Sequence, residues 1–314
     1  MSELKIILLC SSRFALPSIR DLIFHKLLGV VAIPDHCTDF IEEATLLLTG
    51  TGVQVVLVNK EQLETKLKKI IKQHNITLGF VITFSFKVPA AVYAIPEKGF
   101  FNVHSGPLPE YRGADPVFQQ VKNRDEKTGV TIHKLTENFD AGDIVIKEMI
   151  KADFNDTYGL LNNKLSELAS RLAGTVIKMA GLGISIPARP QDETKARYFK
   201  RQTAKDICID WDAMDAGTII ALINACNPWN KGAVTKINYK IIRLLEAQKT
   251  ERTEHESSTI LPGTIVAING QGIIISLRNS DWLRVTYIYT DEGFLHASRI
   301  SELGFGVGHK FVNL

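Results

Sequence analysis

Lys5-Ile-Ile-Leu-Leu-Cys10-Ser-Ser-Arg13 opens as an apolar run and stops abruptly in small polar residues. Such a run reads as a buried strand whose exit turn starts a helix, with Pro17 tolerated in the first helical turn. Val30-Val-Ala-Ile33, Val53-Gln-Val-Val-Leu-Val58 and Gly79-Phe-Val-Ile-Thr83 repeat the pattern. Helical periodicity lies between them, over 40–49 and over 60–74, where Leu63, Leu67, Ile70 and Ile71 share one face. Strands alternating with helices at this spacing predict a mostly parallel sheet covered on both faces. Ligands on such sheets are expected beyond the carboxyl ends of the strands.

The second half has a different texture. Residues 157–181 form one long amphipathic helix pattern, with Leu160, Leu161, Leu165, Leu168, Leu172, Val176 and Met179 apolar. Ile186-Pro-Ala-Arg-Pro-Gln191 then begins an extended stretch to about Gln202. A short helix is expected over 215–227. Short β-like runs follow at 237–245, 263–268, 272–277 and 282–290, divided by glycine or turn residues. That is the pattern of a small barrel or other all-β module. The expected division is a domain over 1–190 and a second over 205–314, joined by a linker at about 186–205. A length of 314 residues suits two domains.

Composition narrows the function classes. Hydrophobic residues at 45% and charged residues at 23% are ordinary globular values and exclude a disordered or collagenous chain. The formal charge of +3, from 37 basic and 34 acidic residues, lacks the excess that phosphate neutralisation would ask for. Cys10, Cys37, Cys208 and Cys226 lie far apart without a C-x-x-C pair, which argues against a disulfide framework or a zinc site; no metal is expected. No apolar stretch reaches the ~18–20 residues that span a bilayer. The first residues lack a basic start and a small-residue cleavage site. A cytoplasmic protein with no membrane partner is the expectation.

Chemistry concentrates in residues 99–143. Asn102 and His104 stand two apart in Phe-Asn-Val-His, so in a strand both side chains point to one face. An amide donor and an imidazole aimed at one spot suit a carbonyl becoming an oxyanion, and the imidazole can exchange a proton near neutral pH. Ser105-Gly-Pro-Leu-Pro109 cannot be helical and should form a rigid loop at the strand's end. Asp140, in the turn signal Phe-Asp-Ala-Gly, could orient His104 or accept a proton from an attacking amine. Taken alone, an Asn-x-His pair is more often a satisfied polar contact than a catalytic pair. An Asp before Ala-Gly is usually a turn residue. His133, in an alternating strand, reads as structural or as part of a site rim.

Asn102-Val-His104, Leu108-Pro-x-Tyr-Arg-Gly113, Thr128-Gly-Val-Thr-Ile132 and Phe139-Asp-Ala-Gly-Asp143 together resemble the folate-dependent formyltransferase family. Phe14-Ala-Leu-Pro17 resembles the family's opening turn. Asp210-Trp211, Asn227-Pro-Trp229 and Ala233-Val-Thr235 are similar to the C-terminal module of its two-domain, methionyl-tRNA formyltransferase-like members. The resemblance covers most of the chain. It implies a Rossmann-like, doubly wound α/β domain followed by a small β-barrel of OB-like type. It implies 10-formyltetrahydrofolate as formyl donor and Asn102, His104 and Asp140 as the catalytic set. It places the folate against Phe84, Phe86 and Val88 in one loop and Gly106, Pro107, Leu108 and Pro109 in another. Gly106-Pro107 stand where the family commonly has Leu-Leu, and Cys10 where its first strand often ends in Gly.

The acceptor is the open part of the resemblance. Relatives that act on tRNA resemble one another in a basic, glycine-containing insertion after the second strand. Here Pro34-Asp-His-Cys-Thr-Asp-Phe-Ile-Glu-Glu43 has four carboxylates, and no Lys or Arg follows until Lys60. From Arg201 onward, twelve basic residues face twelve acidic ones. The residual positive charge sits largely in Lys66-Leu-Lys-Lys-Ile-Ile-Lys72, which reads as the solvated face of a helix. The expected acceptor is therefore a small or carrier-bound amine: an amino sugar nucleotide, an amino acid or hydroxylamine, or a peptidyl or aminoacyl group. A tRNA-borne acceptor is the disfavoured alternative. Further alternatives are a 10-formyltetrahydrofolate hydrolase, a glycinamide ribonucleotide formyltransferase, and a folate- or nucleotide-binding protein without catalysis. Asn102 argues against the hydrolase and the C-terminal module against the glycinamide enzyme.

Overall fold

The computed structural model describes residues 4–251 and 260–314. The domain expected over 205–314 therefore includes 252–259, which lie outside the described residues. The chain divides into two compact units: Met1–Pro116 with Lys127–Ile150 and Asn162–Phe199, and Val117–Glu126 with Lys151–Leu161 and Lys200–Leu314.

In chain order, the first half runs β1 (Ile6–Cys10), α1 (Leu16–Phe24), β2 (Leu28–Pro34), α2 (Thr38–Leu48), β3 (Gln54–Val58), α3 (Leu63–Gln73), β4 (Leu78–Ile82), α4 (Ala90–Tyr93) and β5 (Phe100–His104). It continues through β6 (Arg112–Gly113), α5 (Pro116–Asn123), β7 (Lys127–Lys134), β8 (Ile144–Lys151), α6 (Tyr158–Gly181) and β9 (Tyr198–Phe199). The main sheet of the first unit has the order β3-β2-β1-β4-β5-β7-β8. Its first five strands are parallel, and β7 runs antiparallel to β5. This is a Rossmann-like α/β fold.

The apolar runs explain the order. Every residue of β1 is buried, as a central strand covered on both faces requires. Ile7, Leu9, Val30 and Ala32 pack in one apolar cluster with Leu63, Leu67, Ile70 and Ile71, the face that helical spacing picked out on α3. Leu165, Leu168, Leu172 and Val176 of α6 are buried, while Leu160 stays exposed. The sheet grows outward from β1 in both directions, so its crevice opens at the carboxyl ends of β1 and β4. There the Ser12 and Thr83 hydroxyls lie 2.8 Å apart. Thr83 holds φ +53, a left-handed conformation rare for a β-branched residue.

The second unit contains α7 (Ala216–Ala225), β10 (Ala233–Ile237), β11 (Lys240–Thr250), β12 (Ile265–Asn269), β13 (Gly272–Ser276), β14 (Trp282–Thr290), β15 (Gly293–His296) and β16 (Phe311–Val312). They form a curled antiparallel sheet of order β12-β13-β14-β11-β10-β16, with β15 beside β14. The two ends of the curl meet: Phe311 N–H donates to Gly263 O at 2.8 Å and Ile265 N–H to His309 O at 2.9 Å. Trp211 fills the interior, stacked on Phe311 at 5.6 Å, and its indole N–H donates to Thr235 Oγ1 at 2.8 Å. The run read as one strand over 237–245 begins at a hairpin corner, and 240–245 belong to β11. β10 ends at Ile237, and Asn238 turns the chain with φ +49. Asparagine tolerates that conformation, but Asn-Tyr lacks the glycine that usually announces such a turn. Among the described residues no helix is long and apolar enough to cross a membrane.

Gly79 of β4 pairs with Phe100 of β5, and a Cβ at Gly79 would lie 2.6 Å from the Phe100 ring. Gly79→Ala is expected to destabilise the first unit by about 1–3 kcal/mol through overpacking. Trimming the ring with Phe100→Leu in the same chain should recover part of that loss. Urea unfolding of the two single variants and the double variant checks both.

Candidate active site

Strand register assembles the site. In the β5–β7 pair, Asn102 stands opposite His133 and His104 opposite Thr131, so four side chains share one face. Thr131 fixes the loop that leaves β5: its hydroxyl donates to Gly106 O at 2.9 Å and accepts from Leu108 N–H at 3.1 Å. Lys147 Nζ donates to Leu108 O at 2.9 Å. Gly106, Pro107, Leu108 and Pro109 are all buried. A Cβ at Gly106 would come within 2.9 Å of Pro116 and 3.3 Å of His104 Nε2, so no larger residue fits beside the imidazole without displacement.

Asp140 arrives from the loop between β7 and β8 with φ +54. Gly142 lets this loop close against β7, since a Cβ there would sit 1.8 Å from Lys134 O. Asp140 is only 9% exposed. Its Oδ2 accepts from Gly113 N–H at 2.9 Å, and its Oδ1 accepts from Asn102 Nδ2 at 3.2 Å. The same Oδ1 lies 3.5 Å from both His104 Nδ1 and His133 Nε2.

Donor and acceptor roles follow from the carbonyls. His133 Nδ1 faces Lys134 O at 2.8 Å, and a carbonyl only accepts, so Nδ1 carries the hydrogen. In the neutral ring Nε2 is then the acceptor for the Asn102 amide at 3.0 Å, and in the imidazolium it carries a hydrogen toward Asp140 Oδ1, 3.5 Å away. His104 Nε2 likewise donates to Tyr111 O at 2.6 Å, leaving Nδ1 turned toward Asp140. Burial alone would raise the Asp140 pKa. The Coulombic pull of His104 opposes it, helped by the hydrogen bond and charge of His133 and by Gly113 N–H. The outcome holds the carboxyl well below the usual carboxylate range, so Asp140 is ionised at neutral pH.

Asn102, His104 and Asp140, predicted as one set, therefore meet. The residues expected around the folate sit in two loops at the same sheet edge, after the neighbouring parallel strands β4 and β5. Phe84 and Phe86 are half-buried, with rings 5.7 Å apart, and Val88 is buried; all three pack on the core cluster of the sheet. Phe86 also meets the His36 ring at 5.5 Å, and Ser85 Oγ lies 3.2 Å from His36 Nε2, so the loops after β2 and β4 touch. His133, read from the sequence as structural or as part of the rim, stands within the cluster beside Asn102 and Asp140. The signal was present as Thr-x-His in one strand facing Asn-x-His in its antiparallel neighbour. Among the described residues no group of His, Cys, Asp and Glu could hold a metal ion.

Two family models match the chain: one described as formyl transferase over residues 33–177, the other as the formyl transferase C-terminal domain over 201–293. The chain belongs to the formyltransferase family. Among formyltransferases it is similar to the methionyl-tRNA formyltransferase of Halothermothrix orenii, 30% identical over 69% of this chain and 67% of that one. The methionyl-tRNA formyltransferase of Bacillus subtilis is 28% identical over 90% of this chain and 89% of its own. Among solved structures, HypX from Aquifex aeolicus in complex with tetrahydrofolic acid shares the fold, with a TM-score of 0.68, 19% identity and 98% of this chain covered. The present formyltransferase spans about half of that longer protein, 48% of its chain. The N-formyltransferase of Helicobacter canadensis in complex with folinic acid and dTDP-3-aminofucose shares the fold over 90% of this chain and 99% of its own, with a TM-score of 0.65 and 15% identity.

The Asp140 environment has a pH signature. A carboxyl whose folded pKa is depressed contributes stability that is present above its ordinary value of 3.8 and is lost as pH falls through the folded one. The difference in thermal midpoint between wild type and Asp140→Asn is thus expected to hold steady near neutral pH. It should shift against the wild type as pH falls below that value. Thermal melts of both proteins across acidic pH check the sign.

Proposed function

We propose that this formyltransferase moves a formyl group from 10-formyltetrahydrofolate to a primary amine, with Asn102, His104 and Asp140 at the reacting atoms. The observation that carries this reading is their convergence with His133 around one buried, ionised carboxylate. The amine nitrogen forms a bond to the formyl carbon, and the carbonyl electron pair moves onto oxygen. Asn102 gives that oxygen one of the two N–H donors now directed at His133 and Asp140, and His104 supplies a second donor. Asp140 takes the proton released by the amine, directly or through water, and fixes the imidazole. As the tetrahedral intermediate collapses, the bond to N10 breaks and the proton taken up by Asp140 is relayed through His104 to the leaving nitrogen. Phe84, Phe86 and Val88, with the 106–109 loop, hold the folate.

For the acceptor we assign a small or carrier-bound amine. Only Asp35, His36 and Cys37 separate β2 from α2, and α2 brings Asp39 and Glu42 to that edge, with Glu43 paired to Arg13, rather than a basic insertion. A phosphate backbone would meet like charge there. One observation favours a tRNA-borne amine instead. The second unit carries an open groove of about 730 Å³ lined by Trp229, Tyr239, Tyr289, Lys231, Lys240 and Arg243, rings interleaved with cations.

A mass-spectrometric screen of pooled amines with 10-formyltetrahydrofolate, scoring the gain of one formyl group, tests the reaction. Asn102→Ala is expected to lower turnover about 10²–10³-fold, and His104→Ala about 10²–10⁴-fold, with the fold retained. Near-native rates from either variant would overturn the assignment. Filter binding of initiator tRNA at low and moderate salt separates the acceptors. Tight, salt-sensitive binding would replace the small amine with the tRNA-borne one.

A further inference from the structure

The stretch 189–199, extended and placed between two predicted domains by its sequence, lies within the first unit and is bonded at both ends to the loops that carry the site. Arg189 exchanges two backbone hydrogen bonds with Ile144, at 3.0 and 2.8 Å, just beyond the Asp140 loop. At the other end β9 pairs with β6. Arg112 N–H donates to Arg197 O at 2.9 Å, Ala114 N–H to Phe199 O at 2.9 Å, and Arg197 N–H to Pro109 O at 3.2 Å. The approach is so close that a Cβ at Gly113, whose φ is +97, would lie 2.2 Å from Phe199 O.

Between these anchors the side chains form one network. Gln191 Nε2 donates to Asp140 O at 2.8 Å and Gly142 O at 2.7 Å, tying down both carbonyls around the left-handed turn. Gln191 Oε1 accepts from Arg112 Nε at 3.0 Å and from its terminal nitrogen at 2.8 Å. Arg112, only 1% exposed, also donates to both Glu193 carboxylate oxygens, at 2.8 and 2.6 Å, and to the Tyr198 hydroxyl at 3.0 Å. The Tyr111 ring stacks on Phe199 at 5.1 Å. Thus Tyr111, whose carbonyl receives His104 Nε2, and Gly113, whose N–H meets Asp140, both sit in the segment this stretch grips.

We infer that residues 189–199 are a clamp that positions His104 and Asp140 for the reaction, with Gln191 as its central positioning residue. The inference rests on the reading that those two groups do the chemistry. Gln191 touches no reacting atom. It fixes the peptide from which the Asp140 carboxylate is aimed, and Arg112 fixes Gln191. An ångström of drift there is enough to lose about 10²-fold in rate.

Gln191→Glu separates positioning from mere support. Glutamate keeps an acceptor for Arg112, so the guanidinium stays partnered, but it has no N–H for the Asp140 and Gly142 carbonyls and repels both. Gln191→Leu loses both functions. Expected for Gln191→Glu are a thermal midpoint within about 3 °C of wild type and a kcat lowered about 10–100-fold, with KM for the folate within about threefold. Gln191→Leu should be slow as well. In parallel, NMR chemical shifts of the His104 ring at one fixed pH, in wild type and in each variant, read the clamp without turnover. Moved ring resonances are expected, because the carboxylate beside Nδ1 is no longer held. Wild-type kcat and unmoved His104 resonances in both variants would overturn the clamp. If wild type transfers no more formyl than Asn102→Ala, the reading of the reaction fails instead, and the NMR comparison still decides the clamp.

Discussion

The carboxylate of Asp140 sets the terms for everything around it. An ion taken that far out of water loses hydration worth several kcal/mol, and the ordinary response is to bind a proton. Here the ionised form is kept by an assembled surround. Gly113 N–H and the Asn102 amide donate to its two oxygens, and two imidazoles stand 3.5 Å from one of them. The partners come from three strands: Asn102 and His104 from β5, Gly113 from β6 and His133 from β7, while Asp140 itself stands in the loop before β8. Removing one partner leaves a buried charge short of compensation, so the site's geometry and its protonation state cannot be altered separately. That coupling keeps Asp140 ionised at neutral pH, the state in which it can hold the imidazole beside it.

The sheet explains why those parts can meet. Parallel strands place the ends of β1, β4 and β5 on one edge, and the change of direction at β7 then brings a second row of side chains beside the first. With a parallel neighbour after β5, His133 and Thr131 would not face Asn102 and His104 in this register. The antiparallel pair supplies both a hydrogen-bond acceptor for the Asn102 amide and the hydroxyl that braces the 106–108 loop. The positive φ of Asp140 and the bare Gly142 then swing the carboxylate under the edge, where Gln191 holds the turn by its carbonyls.

Parts of this were readable in advance because they depend on local pattern. Ile6–Cys10 and the α3 face declare themselves through uninterrupted burial and helical spacing. The Asn-x-His pair declares itself through the two-residue period of a strand. The rest depends on which strands become neighbours. His133 looks like any polar residue in an alternating strand until β7 is known to lie antiparallel to β5 in one register. Gln191 and Arg112 are 79 positions apart, and no periodicity links them. Extended backbone rich in proline and polar residues reads as a tether, since its hydrogen bonds go to distant loops and leave no local trace. The Asn238 corner was missed for a smaller reason, the absence of glycine after asparagine.

Charge shows the same division between total and arrangement. From Arg201 onward the bases and acids balance, yet the groove on the second unit gathers Lys231, Lys240 and Arg243 among aromatic rings. Arrangement also explains why these cations do not read directly as a phosphate site. Lys240 is paired with Glu292, Arg243 donates to both the carbonyl and the side chain of Asn230, and Lys231 lies 4.4 Å over the Tyr289 ring while bonding its hydroxyl. A phosphate backbone laid in the groove would have to replace these partners before gaining from the cations, and its attraction would be largely spent on the exchange. An amine on a small carrier needs none of that. Its binding energy is available for the edge where Asn102, His104 and Asp140 converge, which is why the acceptor assigned above is the smaller one.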